Sequence, residues 1–155
     1  MARRTSRMLA LGTIAPDFSL PDAVSGRTVA LAGLREAPAL LVAFICNHCP
    51  YVKHLADGLP GFGRDIAPRG LAQVAVRSKD VTAYPDDAPD AMGRFAREKG
   101  FVFPYLYDES QAIALAYEAI CTPTQTRCCA ARARAGCRCR AWAAASSECT
   151  LICCS

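Results

Sequence analysis

No stretch of this chain approaches the roughly 20 consecutive apolar residues that a transmembrane helix needs. The run Ala39–Ile45 is of strand length. A secretory leader is not expected either, because the basic start Met1–Arg7 is followed only by Met8–Leu11 before Gly12, too short for an apolar signal core. These absences point to the cytoplasm and exclude the membrane as a partner. Charge of one sign is also missing from most of the chain. Residues 1–121 hold 13 Lys+Arg and 13 Asp+Glu, and the whole +4 excess comes from five Arg against one Glu in residues 122–155. Aromatic residues make up 8% and there is a single Trp. A basic folded face with interleaved aromatics is the footprint of nucleic-acid binding. It is absent, so no nucleic-acid partner is expected.

Cysteine is scarce where the chain looks foldable. Of ten cysteines, only Cys46, Cys49 and Cys121 lie in the first 121 residues. That distribution excludes a secreted disulfide scaffold, which spreads its cysteines through a small loop-rich fold. What remains is 155 residues, 52% hydrophobic and 21% charged, enough for one domain with a sizeable core.

The pattern along the chain alternates strands and helices. Ala15–Asp22 reads as a short strand between prolines, Val24–Arg27 as a turn and Thr28–Leu31 as the hairpin partner. Ala39–Ile45 reads as a central strand covered on both faces. Tyr51–Asp57 reads as a helix until Gly58 and Pro60 interrupt it, and Leu71–Val76 as a second buried strand. Asp80–Pro89 is a loop rich in Pro and Asp, and Asp90–Lys99 a helix that stops at Gly100. Phe101–Tyr107 follows as a strand and Gln111–Ile120 as a helix. Such alternation implies an α/β fold with a parallel-type sheet. After Pro123 neither a period of two nor one of 3.6 is evident, and Cys, Arg, Ala and Ser dominate. The domain is therefore drawn over residues 8–123, with 124–155 as a disordered tail. Cys137-Arg138-Cys139 gives that tail a chelating look, but the cysteine spacings match no regular zinc pattern. The favoured reading is an aberrant, functionless C-terminus.

The chemistry is carried by Cys46-Asn47-His48-Cys49, placed between a buried strand and a helix. A thiol at a helix start gains from the helix dipole and from free backbone N–H groups, both of which favour thiolate, the reactive species. The proline selects the register. With Cys46 as helix cap, Pro50 falls at the fourth position and deletes the first intrahelical bond; with Cys49 as cap, it falls at the favoured first position. Cys49 is thus the expected nucleophile and Cys46 the resolving thiol, with Val52 where a dithiol thioredoxin has its second cysteine. His48 has three readings: proton transfer, metal ligation, or a plain loop residue facing solvent. His54 reads as a helix-surface residue, Lys53 as helping thiolate electrostatics or merely solvating the helix, and Tyr51 as lining the site or packing locally.

Ala15-Pro16-Asp17-Phe18-Ser19-Leu20, Phe44-Ile45-Cys46-Asn47-His48-Cys49-Pro50-Tyr51-Val52-Lys53-His54 and Cys121-Thr122-Pro123 together resemble thioredoxin-like proteins of the redoxin, or alkyl hydroperoxide reductase/thiol-specific antioxidant (AhpC/TSA), group. The likeness is to its Asn-His-Cys-Pro members and covers roughly residues 8–123. It implies a thioredoxin-like fold, a central mixed sheet flanked by helices. It also makes Thr122-Pro123 a cis-proline loop lying against the active thiol, with Thr122 presenting its backbone to a bound disulfide. Pro50 and His48 join Thr122 and Pro123 as expected substrate-binding residues. Cys121 becomes a third thiol or a passive buried one.

Two departures matter. The peroxiredoxins of this group carry Pro seven residues and Thr three residues before the peroxidatic cysteine. Before Cys49 those places hold Val42 and Cys46, and before Cys46 they hold Ala39 and Ala43. Disulfide exchange therefore moves ahead of peroxide reduction. Members also continue into two further strands and a closing helix, absent here, so a poorly stable chain is expected. Thiol–disulfide oxidoreductase chemistry on protein or small-molecule disulfides, with a thiol electron donor and no cofactor or metal, is the leading expectation. A thiol peroxidase acting on peroxides is the alternative, and copper or zinc binding by Cys46, His48 and Cys49 is the non-enzymatic one.

Overall fold

The computed structural model describes residues 14–34, 36, 37, 39–119 and 124–128. Its centre is a four-stranded sheet in the order β5-β4-β3-β6. The apolar run folds as β3 (Ala39–Phe44). It pairs in parallel with β4 (Leu71–Arg77), Val42 opposite Val74, and β4 pairs in parallel with β5 (Tyr105–Tyr107). Beyond β3 the edge strand β6 (Thr124–Cys128) runs antiparallel, Phe44 opposite Thr124. The hairpin forms a separate two-stranded sheet of β1 (Ser19–Pro21) and β2 (Thr28–Ala30).

Both faces of β3 are covered, because side chains alternate across a strand. Leu40, Val42 and Phe44 face one buried cluster with Phe18, Leu31, Val74, Val76, Leu106 and Tyr117. Ala43 and Ile45 face the other, with Cys46, Cys49, Val52, Met92, Ala96, Phe103 and Tyr105. The motif cysteines thus sit on the helical side of the sheet as part of its packed interior. Val42, at the place of the family's proline, fills the opposite cluster.

The helices follow their caps. α1 (Pro50–Ala56) begins on Cys49. α3 (Pro89–Lys99) ends at Gly100, whose φ of 69° gives the left-handed turn that stops a helix. The strand expected over Ala15–Asp22 is reduced to β1 (Ser19–Pro21), and four further elements differ from the sequence reading. Leu59–Ile66 is a further helix, α2, with Pro60 harmless in its first turn and Leu59 and Ile66 buried. Phe101 and Phe103 lie outside any strand, and β5 starts only at Tyr105; Phe101 stacks on Phe103 at 4.7 Å instead. The helix expected over Gln111–Ile120 is reduced to α4 (Ala112–Ala116). The Asp108 carboxylate caps its start through Ile113 and Ala114 N–H, and Glu118 turns left-handed at φ 53° just after it. Lastly, the sheet runs past the boundary drawn at 123, through β6. Backbone pairing with β3, rather than an apolar pattern, sets that strand.

Among the described residues no helix is long and apolar enough to cross a membrane.

Candidate active site

The strand–loop–helix junction after β3 builds the site. Cys49 is the N-cap of α1, in extended conformation (φ −70°, ψ 123°), and its carbonyl accepts the Lys53 N–H at 3.0 Å. Pro50 is the first helical residue, where its missing N–H is not needed. This is the register that proline chemistry selects. Cys46 is fully buried and Cys49 is 8% exposed, so Cys49 is the more accessible of the two residues.

Adjacent parallel strands put the loops at their C-terminal ends side by side. The loop after β3 therefore meets the loop after β4, where a 3₁₀ turn spans Pro85–Asp87. The two are stitched together. Asn47 N–H donates to Asp87 Oδ1 at 2.6 Å, and Asn47 Nδ2 donates to the Asp86 carbonyl at 2.9 Å. From β5, the Tyr105 hydroxyl donates to Asn47 Oδ1 at 3.0 Å. Asn47, Asp87 and Tyr105 are all buried, so these bonds hold the two loops and β5 in place.

His48 stands at the edge of this network. Its Nδ1 lies 2.7 Å from Asp87 Oδ2, its Nε2 lies 3.8 Å from Cys46 Sγ, and its ring stacks on Tyr84 at 4.2 Å. A carboxylate only accepts, so in the neutral imidazole Nδ1 carries the hydrogen and the Nε2 lone pair faces Cys46. Behind Asp87, the buried Arg77 places Nε 3.8 Å from Oδ2 and its guanidinium 5.5 Å from the centre of the Tyr107 ring. Burial pushes the Tyr105 hydroxyl well above its usual range, helped by the negative fields of Asp87 and Cys46 and opposed by Arg77.

The structure thus brings Cys46, His48, Cys49 and Pro50 to one junction. Thr122, Pro123 and Cys121 lie outside the described residues. Tyr51, Lys53 and His54 are exposed on α1. The donor atoms that converge within 4.8 Å are those of Cys46, His48 and Asp87, a different set from the Cys46–His48–Cys49 ligands expected of a metal loop. Sequence reasoning missed Asp87, Asn47 and Tyr105. The signal for Asp87 was its place in an acidic Pro-Asp-Asp turn within the loop that follows a buried strand.

The family model described as the AhpC/TSA family matches residues 11–138. An uncharacterized conserved protein from Geobacillus kaustophilus is 43% identical, covering 79% of this chain and 65% of its own, with a TM-score of 0.77. A hypothetical protein from Sinorhizobium meliloti 1021 is 45% identical over 79% of this chain and 66% of its own, with a TM-score of 0.76. This chain therefore spans just under two thirds of the length of both. A thiol-disulfide oxidoreductase from Bacteroides fragilis NCTC 9343 shares the fold at 18% identity, with a TM-score of 0.63 over 76% of this chain and 84% of its own. No curated protein matches.

Proposed function

Because the chain belongs to the AhpC/TSA family and has the thioredoxin-like fold, we propose that it is a thiol–disulfide oxidoreductase with Cys49 as nucleophile and Cys46 as resolving thiol. The Cys49 thiolate attacks one sulfur of a substrate disulfide, forming a mixed disulfide and expelling the first substrate thiolate. The Cys46 sulfur then attacks Cys49 Sγ, giving the Cys46–Cys49 disulfide and releasing the second substrate thiol. A thiol electron donor returns the protein disulfide to two thiols, and the cytoplasm is the proposed setting.

The observation that carries this reading is the junction itself. Cys49 caps α1 on a proline start, with a second thiol three residues upstream in the same buried cluster. The register of β6 supports Thr122 and Pro123 as the substrate loop, since Phe44 pairs with Thr124 and so brings the chain just after Pro123 to the strand end that leads into Cys46. Peroxide reduction is the weaker alternative. The Pro and Thr of the peroxiredoxin site are replaced by Val42, packed on the far side of the sheet, and by Cys46.

The test is turnover of a small disulfide by wild type, Cys49→Ser and Cys46→Ser. Cys49→Ser is expected to be inactive, and Cys46→Ser to stop as a mixed disulfide on Cys49 visible by mass spectrometry. Undiminished turnover in Cys49→Ser ends the proposal.

A further inference from the structure

The hydrogen-bonded line Cys46–His48–Asp87 serves the sulfur that is not the proposed nucleophile. Cys46 is fully buried, whereas a resolving thiol must lose its proton before it can attack. The imidazole of His48 can accept that proton, because in the neutral ring the contact with Asp87 leaves the Nε2 lone pair directed at Cys46 Sγ.

We propose that His48 is the general base of the resolution step and that Asp87 is its positioning residue, an inference that rests on the oxidoreductase reading above. In this step the Cys46 S–H proton moves to His48 Nε2. The Cys46 sulfur forms a bond to Cys49 Sγ, and the bond between Cys49 Sγ and the substrate sulfur breaks. The electron pair leaves with the substrate as thiolate, and the imidazolium returns the proton to it. The two protein thiols are oxidised to a disulfide as the substrate disulfide is reduced to two thiols, so electrons and protons balance.

Three features make His48 suited to the task. Asp87 Oδ2 fixes the tautomer and stabilises the imidazolium that forms. Asp87 is itself held by the Asn47 N–H and faced by the Arg77 cation. The Tyr84 ring, stacked nearly parallel on the imidazole at 7°, keeps its plane fixed. At 30% side-chain exposure, His48 also touches solvent, so the proton has a route to a departing thiolate.

The experiment follows oxidised glutathione reacting with the reduced protein in single-turnover mode. Formation of the glutathione adduct on Cys49 and its decay are timed separately by acid quench and mass spectrometry. General-base catalysis is worth typically 10²–10⁴-fold, so His48→Ala is expected to slow adduct decay by about 10²-fold and adduct formation far less. Added imidazole, entering the space left by the ring, is expected to restore decay. Asp87→Asn is expected to slow decay in the same step-selective way. Unchanged decay in His48→Ala overturns the inference. So does equal slowing of both steps, which marks a disturbed loop rather than a lost base. Zinc retained by the reduced wild-type protein and lost in His48→Ala overturns it as well, by making His48 a ligand. If Cys46→Ser forms no glutathione adduct at all, the oxidoreductase reading falls first and takes the relay with it; an adduct that forms and decays without His48 removes the relay alone.

Discussion

The Tyr105 hydroxyl reaches across from β5 to Asn47 Oδ1 at 3.0 Å and joins the sheet to the cysteine loop. Both partners are buried. The phenol is held in its neutral form by that burial, and next by the negative fields of Asp87 and Cys46.

That relationship predicts an alkaline weakness. In the unfolded chain a tyrosine ionises near pH 10, whereas the folded phenol keeps its proton to higher pH. Above about pH 10 the unfolded state therefore binds fewer protons than the native state, and stability falls as pH rises. Below that pH the contribution is intact. Tyr105→Phe is expected to lower stability at pH 7 by about 1–2 kcal/mol, because Asn47 Oδ1 loses its donor, and to flatten the loss above pH 10. Denaturant unfolding from pH 7 to 11 checks this; parallel curves for the two proteins contradict it.

Arg77 is expected to matter for the fold as much as for the site. Its guanidinium is fully buried, with Asp87 as the nearest carboxylate and no hydrogen-bond partner among the described residues. Removing one member of a buried ion pair leaves the other uncompensated, at a cost of about 3–5 kcal/mol. Arg77→Met should lose stability in that range, read as a drop in the denaturant midpoint. A change under about 1 kcal/mol, the level of an exposed pair, shows that Asp87 needs no cation behind it.

Gly93 lies where α3 crosses the β1–β2 turn. A Cβ there meets the Ala23 carbonyl oxygen at 2.6 Å, a backbone atom that cannot rotate away. Gly93→Ala gains helix propensity of up to about 1 kcal/mol but must push the turn aside, at about 1–3 kcal/mol. The expected net is destabilisation, measured by thermal unfolding; a raised Tm contradicts it.

Gln73 offers the opposite sign. It is buried beside Gly63 and Phe103, lining a cavity of about 390 Å³, and both polar atoms of its amide lack a partner among the described residues. An unpaired buried amide costs about 1–3 kcal/mol. Gln73→Leu should therefore raise stability by about 1 kcal/mol or more, with thiol chemistry unaffected. A stability loss shows that the amide is hydrated through the cavity.

The strands and the cap were legible because single residues decide them. β3 is a run of apolar residues buried on both faces, and Pro50 can start a helix but not continue one. α3 carries its own stop in Gly100. What the sequence hid is of two kinds. α2 is rich in Gly and Pro, yet Leu59 and Ile66 bury one face, and tertiary packing overrides the weak local preference. β6 carries Thr124 and Thr126 two residues apart, a β-branched pair without the apolar partners that would mark a strand. The second kind is distance along the chain. Asp87 meets His48 across 39 residues, and only the parallel pairing of β3 with β4 makes their following loops neighbours. Motif spacing carries no trace of that contact.

The pinning of Asn47 and His48 by Asp86, Asp87 and Tyr105 also orders events in time. A ribosome releases Cys46 and Cys49 well before it has made the residues that hold them. Until Asp87 has emerged and β4 has docked on β3, the two sulfurs lie on a loop whose imidazole has no carboxylate to hold it beside Cys46. The nascent polypeptide therefore carries both sulfurs before it carries the group that fixes His48.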